Sequence, residues 1–414
     1  MAVTQVYLFC NYTSVRTRKH LQLSDLKLEN WVRRIIGVPE LKYVDAAPWI
    51  EAFIEYFQTQ EEYILHIVAI QMGMKKNTEH FVEDGVHYHY VKSGLGVINK
   101  VLDKLFSIQK KKGFPVYQNR FEKTLSGIAP DLVMICGAEN PDYATAFLKS
   151  NCPRKLVILQ TLMNDSKRIS MGISTDYRRE VENKVIKSAN FFAVPDAQWI
   201  SYIKSVNSNA SCFSFTFPTI EPHVDKSVSK EYDFVFFAGI LGRNKGTNDV
   251  VTALGQVLKT HPDVMLNIIG SADENYMEEL HQQMKDEGVV MNVTFTPSFP
   301  VRNDVFKQVA KSRIAVLPGI TASLNSTVRE AMLMGMPTIV YETPDTIIIN
   351  QKSQNIITAK MEDVKDLASK MVCALENPNK IEEISKNGND YARRHFSQSA
   401  FQVSMNSILS NILV

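Results

Sequence analysis

The sequence contains few cysteines and no long apolar run. Its five cysteines, among 414 residues, include no C-x-x-C pair, which excludes a disulfide framework and a zinc knuckle and fits a reducing cytoplasm. No stretch approaches the roughly 18 apolar residues that a membrane-spanning helix needs. The first eleven residues also lack the basic segment and apolar core of a signal peptide. We therefore expect a soluble, cytoplasmic protein, or one attached to a membrane surface.

A strong excess of charge of one sign is also absent. The formal net charge is +2, from 46 basic and 44 acidic residues, which argues against a dedicated nucleic-acid-binding protein. The two halves differ, however: residues 1–220 carry 27 Lys and Arg against 21 Asp and Glu, and residues 221–414 carry 19 against 23. This division predicts that an anionic partner binds the first half.

The length and the alternation of strand-like and helix-like segments predict two α/β domains. The segment Phe217–Lys230 has no apolar periodicity and is interpreted as a linker, so that the domains comprise residues 1–222 and 223–396. Two doubly wound, Rossmann-like units place a central cleft between them, with ligands at the carboxyl ends of the strands. The predicted strands are Gln5–Cys10, Tyr63–Gln71, Val86–Val91, Asp131–Cys136, Lys155–Gln160 and Asn190–Val194, then Asp233–Ala238, Val264–Ile269, Val293–Thr296, Ile314–Leu317 and Thr338–Tyr341.

The segment Phe236–Thr247 carries the first candidate site. A hydrophobic strand leads into a loop with three glycines and two cations, which are Gly239, Gly242, Gly246, Arg243 and Lys245. Glycines let backbone N–H groups approach a ligand, and the helix that follows adds a positive dipole, so this chemistry suits a diphosphate. The spacing fits neither a Walker P-loop nor G-x-G-x-x-G. A flexible, solvated β–α turn is the alternative for this segment alone.

A second strand, ending at Leu317, leads through a loop of small polar residues into a helix. Ser326 is the predicted N-cap, which leaves backbone N–H groups available to an anion. Glu330 lies one turn into the helix, where its carboxylate can accept hydrogen bonds from vicinal hydroxyls such as those of a ribose. Gly335 ends the helix. The alternative is that Glu330 is a surface residue favoured near the positive end of the helix dipole.

Together these segments resemble the C-terminal domain of the family 4 (group 1) glycosyltransferases, which have the GT-B fold. The resemblance extends from about Asp233 to Phe396, and its most specific part is Glu330–Pro337, which is similar to that family's E-A-M-x-x-G-x-P signature. It implies that the last helix crosses back after Phe396, so that residues 397–414 complete the first domain.

The resemblance implies a hexosyl- or other glycosyltransferase of the EC 2.4 class, which moves a sugar from a nucleotide-sugar to an acceptor, usually with retention. The C-terminal domain would bind the donor and the N-terminal domain the acceptor. The donor-binding positions would be Lys245 for the diphosphate, Glu330 for the ribose and the backbone of Asn325, Ser326 and Thr327 for phosphate oxygens, with Gly239 and Arg243 beside them. Basic groups take the place of a metal ion in such sites, so we expect neither a metal nor a cofactor.

Two positions depart from the family pattern. Ile240 replaces the family's arginine, for which Arg243 could substitute, and Ala322 replaces the first of its paired glutamates. These departures leave open an altered donor or a catalytically inactive GT-B protein that binds nucleotide or serves as a partner subunit. A nucleotide-sugar 2-epimerase would need a cluster of carboxylates and histidine that these loops lack. No side-chain catalyst can be named.

Three lesser features lie in the first half. Arg16, Arg18, Lys19 and His20 follow the first strand and could bind an acceptor phosphate, or could simply form a solvated loop. Val97–Phe106, followed by Lys110–Lys112, could lie on an anionic membrane as a basic amphipathic helix, or could cover the sheet. His87 and His89 share one strand face without a third ligand, so no metal site is predicted. The resemblance implies a glycan or lipid-linked acceptor in polysaccharide or glycolipid biosynthesis, and the basic clusters favour an anionic acceptor, with peripheral contact at the inner face of the membrane.

Overall fold

The computed structural model describes residues 3–413, apart from residues 36, 38–39, 44, 93–114, 126–128, 171, 173, 196, 226, 300 and 321–323. The chain divides into two compact units. Unit 1 comprises Met1–Pro218 with Gln402–Val414, and unit 2 comprises Thr219–Phe401. The change of unit after Pro218 lies inside the segment interpreted as the linker. The predicted basic helix Val97–Phe106 and Lys110–Lys112 fall outside the described residues.

Unit 1 is built on an eight-stranded sheet, counted over the described part of the chain. Its strands are β1 (Thr4–Cys10), β2 (Tyr63–Gln71), β3 (Thr78–Glu83), β4 (Val86–Lys92), β5 (Leu132–Cys136), β6 (Lys155–Ile158), β7 (Phe191–Val194) and β8 (Ser211–Ser214). Their order is β3-β4-β2-β1-β5-β6-β7-β8. All neighbours run parallel except β3 and β4, which form an antiparallel hairpin.

Helices connect and cover these strands, as parallel crossovers require. They are α1 (Val15–Arg18), α2 (Lys27–Ile35), α3 (Glu51–Gln58), α4 (Pro115–Leu125), α5 (Pro141–Lys149), α6 (Ser166–Ser170), α7 (Asp176–Ser188) and α8 (Trp199–Val206). All five residues of β5 are buried, as are the last five of β1, because helices pack on both faces of the central strands. The six strands predicted for this half are confirmed, whereas the edge strands β3 and β8 were not foreseen.

Unit 2 repeats the plan with a parallel sheet of six strands within the described residues. Its strands are β9 (Tyr232–Ile240), β10 (Leu266–Ser271), β11 (Val293–Thr296), β12 (Ser312–Val316), β13 (Thr338–Tyr341) and β14 (Ile357–Ala359). The order is β11-β10-β9-β12-β13-β14. The five predicted strands are confirmed, and the three-residue β14 is an addition. The chain order reverses between the adjacent strands β9 and β12, which makes their carboxyl ends the topological switch point of this sheet.

The helices of unit 2 are held by local caps and a continuous apolar core. They are α9 (Thr247–Val257), α10 (Glu274–Asp286), α11 (Arg302–Val309), α12 (Ser326–Leu333), α13 (Pro344–Ile349), α14 (Val364–Glu376) and α15 (Pro378–His395). The side chain of Asp273 accepts from the Tyr276 N–H at 3.0 Å, and that of Asp363 accepts from the Asp366 N–H at 3.0 Å, so each caps a helix start. The prediction of two doubly wound α/β units is confirmed.

The last helix, α16 (Gln398–Ile412), returns the chain to unit 1, whose second segment begins at Gln402. The hydroxyl of Tyr56 donates to Asn406 Oδ1 at 2.5 Å, and Arg154 Nε donates to the carbonyl of Ile412 at 3.0 Å. Met405 and Ile408 are fully buried. These contacts make the end of the chain part of the packing of unit 1.

Candidate functional site

The glycine-containing loop after β9 folds as a compact turn rather than as a flexible connection. Arg243–Lys245 form a short 3-10 helix, and Gly246 then starts α9 with a left-handed φ of 79°. The hydroxyl of Thr247 closes the loop, because it accepts from the Gly242 N–H at 3.2 Å and donates to the Gly242 carbonyl at 3.1 Å. The backbone path of this loop is therefore set by hydrogen bonds before any ligand binds.

Replacing Gly246 with alanine is expected to destabilise unit 2 by at least about 3 kcal/mol, because the new Cβ would both strain a left-handed backbone and overlap the carbonyl of Pro318. Gly288→Ala is the matched control, since Gly288 has a φ of 68° but faces open space. The control should lose only about 1 kcal/mol. Urea unfolding followed by circular dichroism measures both. Equal losses would contradict a close approach of the two loops.

The loop after β12 meets the loop after β9 at the switch point. Lys245 Nζ donates to Asn325 Oδ1 at 3.4 Å, and the Ile320 N–H donates to the Asn244 carbonyl at 3.2 Å. The Asn325 amide also lies over Gly319, where a Cβ would overlap it. Two segments separated by about 80 residues thus place a lysine ammonium beside the amino-terminal end of α12.

The amino-terminal end of α12 differs from the prediction by one residue. Asn325, not Ser326, is the N-cap, and its side chain makes no capping hydrogen bond to the helix. Ser326 is therefore the first helical residue, and the prediction of a serine cap is wrong. The amide oxygen of Asn325 accepts from Lys245 instead. The first N–H groups of a helix have no intrahelical acceptor, so those of Ser326 and Thr327 are available to an anion.

Glu330 lies inside unit 2 and not on its surface, since only 3% of the residue is exposed. Arg302, the first residue of α11, binds both carboxylate oxygens: Nε donates to Oε1 at 3.1 Å, and Nη2 donates to Oε2. Burial raises the pKa of Glu330, and the guanidinium of Arg302 acts in the opposite direction. The interpretation of Glu330 as an ordinary surface helix residue is wrong. Arg302 is a partner that no pattern in the sequence indicated.

Two other predicted donor residues lie apart from this junction. Arg243 forms an exposed ion pair with Glu279 of α10, so its guanidinium is not held beside Lys245. Gly239 lies exposed at the end of β9, where its carbonyl accepts from the Ser271 hydroxyl at 3.5 Å. Ala322 falls outside the described residues. The structure therefore brings together Lys245, Asn325 and the start of α12, and leaves Arg243 on a neighbouring surface.

Residues 220–391 match the family model described as glycosyl transferases group 1, and this range covers nearly all of unit 2. Unit 2 is thus similar to the group 1 glycosyltransferases over nearly its whole length. A curated relative, an uncharacterized glycosyltransferase of Haemophilus influenzae, is 25% identical over 155 residues. That match covers 37% of this chain and 42% of the relative, so the chain spans less than half of the relative's length.

Several solved structures are similar to the whole chain. Sucrose-phosphate synthase from Thermosynechococcus elongatus has a TM-score of 0.71 at 14% identity, over 99% of both chains. Anabaena HepE, solved in complex with UDP and glucose, has a TM-score of 0.65 at 12% identity, over 99% of this chain and 100% of that one. At such low identity the similarity shows the fold alone. The segment that matches the group 1 model thus lies in a chain with the predicted GT-B fold.

The basic segment after β1 does not present its charges as predicted. Arg16 and Arg18 lie in the short helix α1 and not in a loop. Arg16 donates to the Tyr88 hydroxyl at 2.9 Å and forms ion pairs with Glu83 at 3.2 Å and Asp84 at 3.8 Å. Because Asp84 lies in the turn just before the amino-terminal end of β4, Arg16 lies over the sheet and not beyond the carboxyl ends of its strands. Carboxylates already neutralise this cation.

The other members of the segment are divided in the same way. Arg18 forms an ion pair with Asp45 at 2.6 Å, and only 11% of its side chain is exposed. His20 lies 3.2 Å from a carboxylate oxygen of Glu83 and stacks on Phe81. Lys19 is exposed. A phosphate-binding cluster of four cations is therefore not present in this arrangement of the described residues, because Arg16, Arg18 and His20 already contact carboxylates.

A group of four histidines covers one face of the sheet in unit 1. His87 and His89 share a face of β4, as expected, and the neighbouring strands add His66 and His80. His66 Nδ1 lies 3.0 Å from His89 Nε2, and the His66 ring stacks on Tyr7 with centroids 4.1 Å apart. Burial lowers the pKa of His66 to about 4 and that of His89 to about 3, and the neighbouring histidines contribute to both shifts.

The four histidine rings pack against one another across the strands. Over the described ranges, no set of three or more His, Cys, Asp or Glu side chains could hold a metal ion. The described helices also include none that is long and apolar enough to cross a membrane.

A buried carboxyl group also lies near the carboxyl end of β6. Glu182, on α7, is 1% exposed and accepts from the Met163 N–H at 3.0 Å. Burial raises its pKa to about 8, and Glu139 contributes in the same direction. The sequence offered no signal for this residue, because it occupies an ordinary position in a helix. Its contact with Met163 fixes the loop that follows β6.

Proposed function

We propose that the protein is a GT-B glycosyltransferase, in which unit 2 binds a nucleotide-sugar donor and unit 1 binds a glycan or lipid-linked acceptor. The observation that carries this proposal is the contact of Lys245 with Asn325, at 3.4 Å. It joins the loop after β9 to the start of α12 at the switch point of a group 1 domain, where a diphosphate would meet both an ammonium group and helix N–H groups. The bound UDP and glucose in Anabaena HepE support a nucleotide-sugar as the donor.

The proposed reaction retains the anomeric configuration. The bond between the anomeric carbon and the diphosphate oxygen breaks, and a bond to the acceptor oxygen forms on the same face of the sugar. The acceptor's proton passes to the departing phosphate oxygen, so the reaction needs no protein nucleophile. Lys245 and the N–H groups of α12 stabilise the negative charge that develops on the leaving group. Because these groups supply the positive charge, we propose a transfer that is independent of a metal ion and of any cofactor.

Isothermal titration of the whole chain with UDP, GDP and their sugar conjugates tests the donor site. We expect one nucleoside diphosphate series to bind, and its sugar conjugate to be hydrolysed slowly or transferred to acceptors extracted from membranes. Repeating the transfer in EDTA tests the independence from metal ions. If no nucleotide or nucleotide-sugar binds the folded protein, the proposed function is wrong.

A catalytically inactive GT-B protein, acting as a nucleotide-binding or partner subunit, is the second candidate. Ala322 and Ile240 favour it, because they stand where the resembled family has a glutamate and an arginine. The same titration distinguishes the two candidates when it is combined with product analysis. Nucleotide binding without hydrolysis or transfer would support the inactive subunit.

We further propose a cytoplasmic protein that reaches its acceptor at the inner face of the membrane. All five cysteines are unpaired, which fits a reducing compartment. A suitable surface lies on α2, where Leu28, Trp31 and Ile35 are 75%, 57% and 64% exposed. Their spacing of three and four residues places them on one side of the helix, beside the exposed Lys27. A lipid-linked acceptor in polysaccharide or glycolipid biosynthesis would fit this location.

Vesicle sedimentation at low salt tests this contact. The protein is expected to sediment with vesicles that contain phosphatidylglycerol, and the triple variant Leu28→Ser, Trp31→Ser, Ile35→Ser is expected to lose most of this binding, because it removes the apolar side chains that would enter the interface. The matched control is Ile347→Ser with Ile348→Ser, which changes two exposed residues of unit 2. Failure of the unaltered protein to sediment would remove the membrane from the proposal.

A further inference from the structure

The pair of Arg302 and Glu330 joins three elements around the start of α12. Glu330 lies on α12, Arg302 begins α11, and the guanidinium lies over the ring of Phe237 on β9, 5.9 Å from its centroid. The ring of Phe306, one turn further along α11, lies 5.2 Å from the same group. The side chain of Arg302 is 24% exposed, whereas that of Glu330 is 5% exposed. Arg302 is therefore the more exposed member of the pair, and the carboxylate of Glu330 is nearly buried.

The geometry of the pair leaves part of the carboxylate unused. Arg302 Nε donates to one oxygen and Nη2 to the other, so one lone pair of each oxygen accepts a hydrogen bond from Arg302. Each oxygen keeps a second lone pair. Two acceptor positions on one fixed carboxylate match two adjacent hydroxyls, such as the 2′- and 3′-hydroxyls of a ribose.

We propose that Arg302 is a positioning residue of the donor site: it fixes the carboxylate of Glu330 so that both remaining acceptor positions meet a vicinal diol, and it thereby selects ribonucleotides over 2′-deoxyribonucleotides. This inference rests on the proposed function, because it assumes that a nucleotide binds at the switch point. It adds a residue that neither the motif nor the family signature contains.

The surroundings of Glu330 explain why a partner is needed. Burial raises its pKa, and two cations oppose that effect: Arg302 from α11 and Arg329 from its own helix. Arg329 is itself influenced by Asp345 of α13, so its charge is shared. Without Arg302, the Glu330 carboxyl would take up a proton more readily and lose acceptor capacity. Nucleotide affinity would then fall as the pH falls.

The test compares the affinities of the whole protein for UDP and for 2′-deoxy-UDP, with GDP and 2′-deoxy-GDP in parallel, at pH 6.0, 7.0 and 8.5. The unaltered protein should prefer the ribonucleotide at each pH. Arg302→Met should lower ribonucleotide affinity at least tenfold at pH 7.0. In this variant the ratio of ribonucleotide to 2′-deoxyribonucleotide affinity should fall toward one, and the ribonucleotide affinity should rise with pH. Arg302→Lys should recover the charge but only part of the preference, because a lysine ammonium cannot fix both oxygens.

Lys307→Met is the matched control on the same helix, since it removes an exposed partner of Asp304 and should change neither quantity. An Arg302→Met variant that keeps the ribose preference, and whose affinity does not rise with pH, would overturn the inference. If that variant does not fold by circular dichroism, Arg302→Lys decides, and an unchanged preference in it overturns the inference as well. Absence of nucleotide binding in the unaltered protein is a different outcome, which rejects the proposed function itself.

Discussion

Replacing Lys245 with alanine should weaken nucleoside diphosphate binding about fiftyfold or more. Its ammonium group is half-buried where the loop after β9 meets Asn325, so a phosphate there would lose a charge-assisted hydrogen bond in a partly desolvated place. Such a bond contributes about 2–3 kcal/mol, which corresponds to the expected change in affinity. The nucleoside without phosphates should bind equally well before and after the substitution. Isothermal titration with UDP and uridine measures both.

Two other substitutions serve as a control and as a test of where the diphosphate binds. Lys259→Ala removes an exposed lysine just beyond the other end of α9 and should leave affinity unchanged. Arg243→Ala should weaken binding by only a few fold, because its guanidinium is exposed and paired with Glu279. A larger loss with Arg243→Ala than with Lys245→Ala would show that the diphosphate lies against α10 and not against the start of α12.

Acidification from pH 7 to pH 5 should destabilise unit 1 through its histidine group. In the folded state the pKa of His66 is lowered to about 4 and that of His89 to about 3, from the ordinary histidine pKa of about 6.5. Both imidazoles therefore stay neutral in the folded protein at pH values well below 6.5. Above pH 6.5 the imidazoles are neutral in both states. As the pH falls below 6.5, the unfolded chain binds protons first, and the free energy of unfolding decreases until the folded pKa is reached. For His66 alone this amounts to about 2 kcal/mol at pH 5.

The three tryptophans, Trp31, Trp49 and Trp199, all lie in unit 1, so urea unfolding followed by tryptophan fluorescence reports on that unit. His66→Gln keeps a polar side chain opposite Gln5 and should flatten the dependence on pH, although it lowers stability at pH 7. His223→Gln, which alters an exposed histidine of unit 2, should leave the dependence intact. A pH dependence that survives in His66→Gln would assign the acid sensitivity to other groups.

The fold of unit 2 could be predicted from the sequence because its strands are short apolar runs between amphipathic helices. The strands at the edges of the unit 1 sheet were harder to predict. The strand β3 has alternating exposed residues and few apolar ones, so hydrophobic periodicity did not reveal it. The pair Asp84-Gly85, which turns with φ angles of 51° and 78°, was a signal that could have identified the hairpin.

The candidate site was predictable in its loops but not in its side-chain pairing. The glycines around Lys245 and the motif at Glu330 are patterns of residues that are close together in the chain. Such patterns can be recognised in the sequence without knowledge of the fold. The contact of Glu330 with Arg302 joins residues 28 positions apart, and that of Arg16 with Glu83 joins residues on separate elements. Ion pairs of this kind depend on how helices pack against strands. Charge counted along the first half therefore suggested an anionic partner at Arg16, where nearby carboxylates already neutralise the cation.

The return of the chain to unit 1 at Gln402 has a consequence for biosynthesis. Unit 2 is one continuous segment, whereas unit 1 lacks the partners of Tyr56 and Arg154 until Asn406 and Ile412 have left the ribosome. A domain normally folds soon after its own segment emerges. Here the packing of unit 1 is completed only after the whole of unit 2 has been synthesised.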